Sequence, residues 1–185
     1  MSTAAVLLAA GGGTRYDGPT HKLRAVVGDR MVVEWSLAAV LGAGLDELIV
    51  VTGAADLDDV LPASATRLHN PAWADGQASS LALALDHLDA TEHEAMVVGL
   101  ADQPGVGSGC WRAVAEAPSP LARATYDGRW GHPARIHRSL WGEIERTGDA
   151  GARALFAGRS ADIEAIPCRG RPDDIDTVED LARWN

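Results

Sequence analysis

The sequence predicts an α/β fold, a mainly parallel sheet with helices on both faces. Two observations carry this reading. Short apolar runs that read as buried strands alternate with segments of helical period, the order produced when crossover helices join parallel strands. The two segments richest in chemistry both follow such runs, at the strand ends where sheets of this kind bind ligands.

The elements follow in chain order. Ala4–Ala10 is apolar throughout and reads as a buried first strand. In Met31–Gly42, Val32, Val33, Leu37, Val40 and Leu41 recur as the buried face of a helix. Glu47–Thr52 is the second strand, closed by Gly53, and Asp56–Leu61 a short helix stopped by Pro62. Arg67–His69 is a short strand. Gln77–Leu88 is a helix whose Leu81, Leu83, Leu85 and Leu88 are apolar, and Ala95–Leu100 is another buried strand. Ser108–Glu116 is a helix capped by Ser108.

The loop after the first strand is the most informative segment. Gly11, Gly12 and Gly13 let backbone amides approach a ligand without side-chain obstruction. Thr14, Arg15 and Lys22 add a hydroxyl and two cations, the donors and positive charge that a nucleoside triphosphate needs. The loop is not a Walker A motif, because Pro19 stands where that motif has Lys. It is not a GxGxxG fingerprint either, because Tyr16 takes the third glycine's place and Pro19 disfavours a helix directly after it.

Composition sets outer bounds. A chain of 185 residues has the length of one full-sized domain, here residues 1–185. The longest apolar run is too short to span a bilayer, and no basic, signal-like N-terminus is present. The net charge of −10 argues against nucleic-acid or anionic-membrane partners, which need a basic footprint. It leaves room for a nucleotide held by a few local cations. Cys110 and Cys168 form no CxxC and no zinc-like spacing, so a reducing cytoplasm is the simplest setting. The six tryptophans are scattered and read as core or rim.

Ala101-Asp102-Gln103-Pro104 follows the Ala95–Leu100 strand, where an acid is placed to hold a metal over a bound ligand. Mg²⁺ needs only one or two carboxylates beside phosphate oxygens and water. Asp174 and Asp176 alternate on an extended stretch, so they share one face and offer a second ligand. Asp176 and Thr177 also suit the start of a last helix, with Glu179 and Asp180 at its positive end. The loop Asn70–Leu81 enters a helix with exposed amides and hydroxyls, suited to a base or ribose. Trp130-Gly131-His132-Pro133 precedes a second small-residue loop, Gly148–Arg153. A lone His near a turn is more often a solvated surface group than a ligand, and His132 and His137 suggest no zinc site.

These segments together resemble the MobA-like nucleotidyltransferases. LAAGGGTRYDGPTHKL is similar to that family's opening motif, and ADQP to its metal-binding turn. NPxWxxGQxxSL, GHP, GDxGAR and DIDTxEDL resemble further motifs of the subgroup that makes molybdenum cofactor cytidylyltransferases, in family order from Leu8 to Leu181. The resemblance implies a Rossmann-like three-layer sandwich with a mainly parallel central sheet. It implies transfer of an NMP moiety from CTP or GTP to a phosphorylated acceptor, molybdopterin in that subgroup, with Mg²⁺ as cofactor and pyrophosphate released. A molybdoenzyme would receive the product.

By motif position, Leu8, Ala9, Ala10, Gly11, Gly12, Gly13 and Thr14 would bind the nucleotide. Arg15 would hold the β- and γ-phosphates, and Lys22 would neutralise the α-phosphate. Asp102 would bind the metal with Asp174 or Asp176. Gly76, Ser79 and Ser80 would help select the nucleoside. Gly131, His132, Pro133, Asp149 and Arg153 would face the acceptor. Tyr16, Gly12-Gly13-Thr14, His21 and Val178 depart from the family's usual residues, and Tyr16 is bulky enough to alter a base pocket. Two other enzyme readings share the loop. A nicotinamide-dependent oxidoreductase would need an acid at the end of the second strand, and Thr52–Ala55 has none before Asp56. A sugar-phosphate nucleotidyltransferase would share the chemistry.

Overall fold

The computed structural model describes residues 2–147 and 151–185. The central sheet has seven strands: β1 (Thr3–Ala9), β2 (Glu47–Thr52), β3 (Thr66–His69), β4 (Ala95–Leu100), β5 (Leu121–Tyr126), β6 (Arg129–His137) and β7 (Glu164–Pro167). Their spatial order is β7-β5-β6-β4-β1-β2-β3. All neighbours pair in parallel except β6, which runs antiparallel to both β4 and β5.

Helices α1 (Val32–Ala43) and α3 (Ser108–Ala115) pack on one face; α2 (Gln77–Asp89) and α4 (Ala152–Gly158) pack on the other. A short helix α5 (Val178–Ala182) follows near the C-terminus. Strand β1 shows why three layers form. Its Ala5, Leu7 and Ala9 join Val33, Leu37 and Trp111 in one core, while Ala4, Val6 and Leu8 join Leu81, Leu85 and Phe156 in the other. Period-two alternation sends apolar side chains both ways, so both faces need a helical cover. Each fully buried Leu, Val or Ile stabilises the fold by roughly 1.5–3 kcal/mol.

The order of strands positions the site. From β1 the chain moves outward through β2 to β3, then returns to place β4 on the other side of β1. The loops after β1 and β4 therefore leave the same sheet edge in opposite directions, which opens a crevice between them.

Several expectations are corrected. Residues 56–61 form a turn rather than a helix, with Asp56 Oδ1 accepting from the Asp58 amide. Ser108 is the first residue of α3, and Gly107 is the cap, with no side-chain bond. The hairpin β5–β6 was not expected. Asp127-Gly128, with φ of 49° and 79°, forms its turn; this dipeptide between strand-like runs was the available signal. Among the described residues, no helix is long and apolar enough to cross a membrane.

Cys110 of α3 and Cys168, just past β7, are joined by a disulfide. The disulfide removes the cysteine-based argument for a reducing compartment. Spacing along the chain carried no trace of this pairing, because parallel pairing of β7 with β5, on which α3 packs, brings the two together.

Candidate active site

The loop after β1 turns on Gly13, whose φ of +58° suits glycine and whose carbonyl accepts from the Tyr16 amide at 2.9 Å. His21 stabilises it. Its Nδ1 accepts from the Leu23 amide at 3.2 Å, so Nε2 carries the proton and donates to the Gly11 carbonyl at 3.0 Å. Burial lowers the His21 pKa, with the Gly11 bond opposing. His21, noted above only as a departure from family pattern, is thus a clasp for the glycine loop.

Lys22 lies beneath that loop with its side chain only 9% exposed. Its Nζ donates to Asp102 Oδ2 at 2.6 Å and to Asp176 Oδ1 at 2.8 Å. Burial alone would lower the Lys22 pKa, but the two carboxylates outweigh it and the net shift is upward. Arg15 is mostly exposed and donates to Asp176 Oδ2 at 2.8 Å. Three stretches distant in sequence thus converge on one ion-pair network.

The acids are held by main-chain geometry. The Ile175 amide donates to the Asp102 carbonyl at 3.0 Å, and the Ile175 side chain is fully buried. Anchoring Ile175 turns its neighbours Asp174 and Asp176 the other way, as strand alternation requires. Asp174 Oδ1 accepts from Gln103 Nε2 at 2.7 Å. Burial of the Asp174 carboxyl, followed by the nearby charge of Asp102, raises its pKa. The segment is aligned by pairing of Gly170–Arg171 with Gly105–Val106, where a Cβ on Gly170 would lie 2.3 Å from the Gly105 carbonyl oxygen.

The donor set fits a divalent cation in one respect. Asp102 Oδ1 is buried and has no hydrogen-bond partner among the described residues, a costly state that a cation would relieve. Among the described residues no three His, Cys, Asp or Glu side chains form a ready-made cage. A site that completes its ligand set with phosphate oxygens and water does not need one.

A cleft of about 580 Å³ opens beside this network, lined by Leu8, Ala10, Gly11, Gly12, Thr14, Trp73, Gly76, Gln77, Ser80 and Asp102 among others. Ala9 instead points into the α1–α3 core, and Gly13 serves the turn. Tyr16 packs against that core and over Gly18, away from the cleft. Trp73 closes one side: a Cβ on Gly12 would come within 2.5 Å of its ring. Ser79 is not a free hydroxyl. It accepts from Asn70 Nδ2 at 2.9 Å and donates to backbone carbonyls of its own loop, while Asn70 also bonds Ser80. Asn70, only 4% exposed, organises this segment and was not singled out from the sequence.

Beyond the shared residues Leu8 and Gln77 lies a second pocket of about 220 Å³. His132 and Arg153 line it, as does Arg123, which sequence reasoning missed because a single Arg in a strand carries no signal. His132 is half-buried on β6 rather than solvated near a turn. Burial, with the Arg123 charge adding, pushes its pKa down to about 4. The Gly131 carbonyl accepts from Arg123 Nε at 3.0 Å, and Pro133 is buried in the strand. Asp149 lies outside the described residues.

A glycine loop, a lysine and a lone-oxygen aspartate gathered at the switch point of a mostly parallel sheet define a nucleotide-handling α/β protein. Residues 5–164 match the MobA-like NTP transferase domain, and the chain belongs to that family of nucleotidyltransferases. Solved structures are similar over almost their full lengths. A homolog of Mycobacterium tuberculosis Rv0371c from mycobacterium sp. strain JC1 is 27% identical with a TM-score of 0.81, covering 98% of this chain and 96% of that one. Rv0371c of Mycobacterium tuberculosis H37Rv, solved in complex with manganese, is 25% identical with a TM-score of 0.79, covering 100% and 98%. A nucleotidyl transferase from Methanothermobacter thermautotroptrophicus shares the fold at 24% identity and a TM-score of 0.82, covering 98% and 95%. No curated protein matches the chain.

Proposed function

We propose that the protein transfers an NMP moiety from CTP, or GTP, to a phosphorylated acceptor of the molybdopterin type and releases pyrophosphate. The reading treats residues 1–185 as one catalytic domain. The observation that carries it is the meeting of Lys22 with Asp102 and Asp176 beneath the glycine loop.

In this reading the amides of Gly11 and Gly12 receive the nucleotide's phosphates, and Ser80 and Gly76 border its nucleoside. Arg15 reaches the β- and γ-phosphates from the exposed rim. Lys22 exchanges a carboxylate for the α-phosphate and neutralises charge that grows there. Asp102, with Asp174 or Asp176, would hold Mg²⁺, which supplies Lewis-acid polarisation of the phosphates when bound. A phosphate oxygen of the acceptor forms a bond to the α-phosphorus as pyrophosphate leaves with the electron pair of the broken P–O bond. The nucleophile is already anionic at neutral pH, so no strong base is required. Catalysis is positioning and charge neutralisation.

The proposed setting is the cytoplasm, with a molybdoenzyme taking the product. There the Cys110–Cys168 pair would be subject to reduction by cellular thiols. The test is a pyrophosphate-release screen of the four nucleoside triphosphates with Mg²⁺ against molybdopterin and against sugar phosphates. Release with CTP or GTP and molybdopterin alone is expected. Turnover with sugar phosphates but not molybdopterin would overturn the acceptor, and no release with any pair would overturn the reaction.

A further inference from the structure

The pocket beside the cleft holds a charge that no described carboxylate neutralises. Arg123 projects from β5 into this pocket, on the face covered by α2 and α4. Its guanidinium lies 5.6 Å from the ring centroid of Phe156 and 6.0 Å from that of Trp130. Nε donates to the Gly131 carbonyl at 3.0 Å, which fixes the plane of the group. Its two Nη atoms make no hydrogen bond to any described residue, and no described carboxylate pairs with it. The contrast is informative. In a chain of net charge −10, Arg15, Arg24, Arg146, Arg159, Arg171 and Arg183 all have an acid within 4 Å. Arg112 and Arg138 likewise have no acid within 4 Å, but their terminal nitrogens donate to backbone carbonyls, whereas those of Arg123 bond no described residue.

A half-buried guanidinium without an anion is expensive unless a ligand supplies one. Flanking rings and an Nε tether present its free fork in a fixed orientation, the geometry that binds an oxyanion by two parallel bonds. Burial also lowers the pKa of Arg123, the expected result for a cation without a partner. Leu81, Val98, Ile136 and Phe156 supply apolar walls, and Gln77 and a second cation, Arg153, also line the pocket. His132 is uncharged at neutral pH and does not compete for the anion.

We propose that this pocket receives the acceptor and that Arg123 binds its oxyanion, the ligand class being a phosphate monoester on a flat or apolar body. The inference rests on the transfer reaction proposed above and adds the group that recognises the second substrate. Leu8 and Gln77, shared by both cavities, place that substrate against the nucleotide.

Phenyl phosphate is the probe, titrated calorimetrically into the intact protein, with CTP and Mg²⁺ titrated separately. Wild type is expected to bind phenyl phosphate, more weakly as salt rises, while benzyl alcohol fails to displace it. Arg123→Met is expected to lose about tenfold or more, the usual value of a charge-assisted hydrogen bond, and to keep its affinity for CTP. Arg123→Lys, which retains charge without the planar fork, is expected to fall between the two and serves if the Met variant does not fold. Equal binding of phenyl phosphate by wild type and either variant, or no binding by wild type, overturns the proposal. Competitive displacement by CTP also overturns it, since the anion site would then belong to the nucleotide. Failure of nucleotide to bind while phenyl phosphate still binds through Arg123 removes the transfer reaction and leaves the anion site standing.

Discussion

Lys22 Nζ sits 2.6 Å from Asp102 Oδ2, although 80 residues separate them. The pair joins the loop after β1 to the turn after β4, and Asp176 closes it from a third direction. Removing one member is therefore expected to affect both the proposed chemistry and folding.

Asp102→Asn keeps the shape of the side chain and removes its charge. Turnover in the pyrophosphate-release assay is expected to fall by about 10²–10³-fold, the usual effect of deleting one stabilising group in such a site. Lys22→Ala is expected to lose as much rate and also about 1–3 kcal/mol of stability, because two partly buried carboxylates lose their shared cation. Urea unfolding separates the two effects. Near-normal turnover in either variant would remove the network from catalysis.

Asp174, a proposed metal ligand, is held at some cost in stability. Its raised pKa means that the folded protein holds the proton more tightly than the unfolded chain, so the ionised carboxylate opposes folding at neutral pH. Asp174→Asn should raise stability slightly at pH 7, by less than about 1 kcal/mol, because the residue as a whole is exposed although its carboxyl is partly desolvated. The gain should vanish as pH falls below the ordinary aspartate range. The same variant should weaken Mn²⁺ or Mg²⁺ binding in a titration with nucleotide present. A variant less stable than wild type at pH 7 would contradict this account.

His132 gives acid sensitivity of the opposite sign. With its pKa pushed from 6.5 down to about 4, the unfolded chain takes up a proton that the folded protein refuses. Stability present above pH 6.5 is lost as pH falls from 6.5 toward 4, by up to about 3 kcal/mol. Urea midpoints at pH 7 and pH 4.5 should lie closer together for His132→Gln than for wild type. An equal loss in both would assign the acid sensitivity elsewhere.

The Cys110–Cys168 disulfide closes a long loop, with a sequence separation of 58 residues. Its removal by Cys168→Ser is expected to destabilise the protein by about 2–4 kcal/mol, through the extra freedom of the unfolded chain. Wild type treated with a phosphine reductant should match the variant in thermal unfolding. Unchanged melting on reduction would show that the bond does not bear on stability.

Much of this protein is legible in its residues one after another. The order of buried strands and helices, the glycine loop and the acid after β4 depend on local composition and period, which a linear reading captures. Ile175 between Asp174 and Asp176 obeys the same rule, since alternation alone turns both acids the same way. What the linear text does not contain is which distant segments face each other. The antiparallel insertion of β6 beside β4 brings His132 to the pocket edge and aligns Arg123 with Ala134 across the β5–β6 pair. Pairing of β7 with β5 beneath α3 joins two cysteines that looked independent. The pairing of Gly105–Val106 with Gly170–Arg171 carries Asp176 to Lys22. These contacts arise from burying two faces of one sheet at once, a requirement of the whole chain rather than of any segment in it.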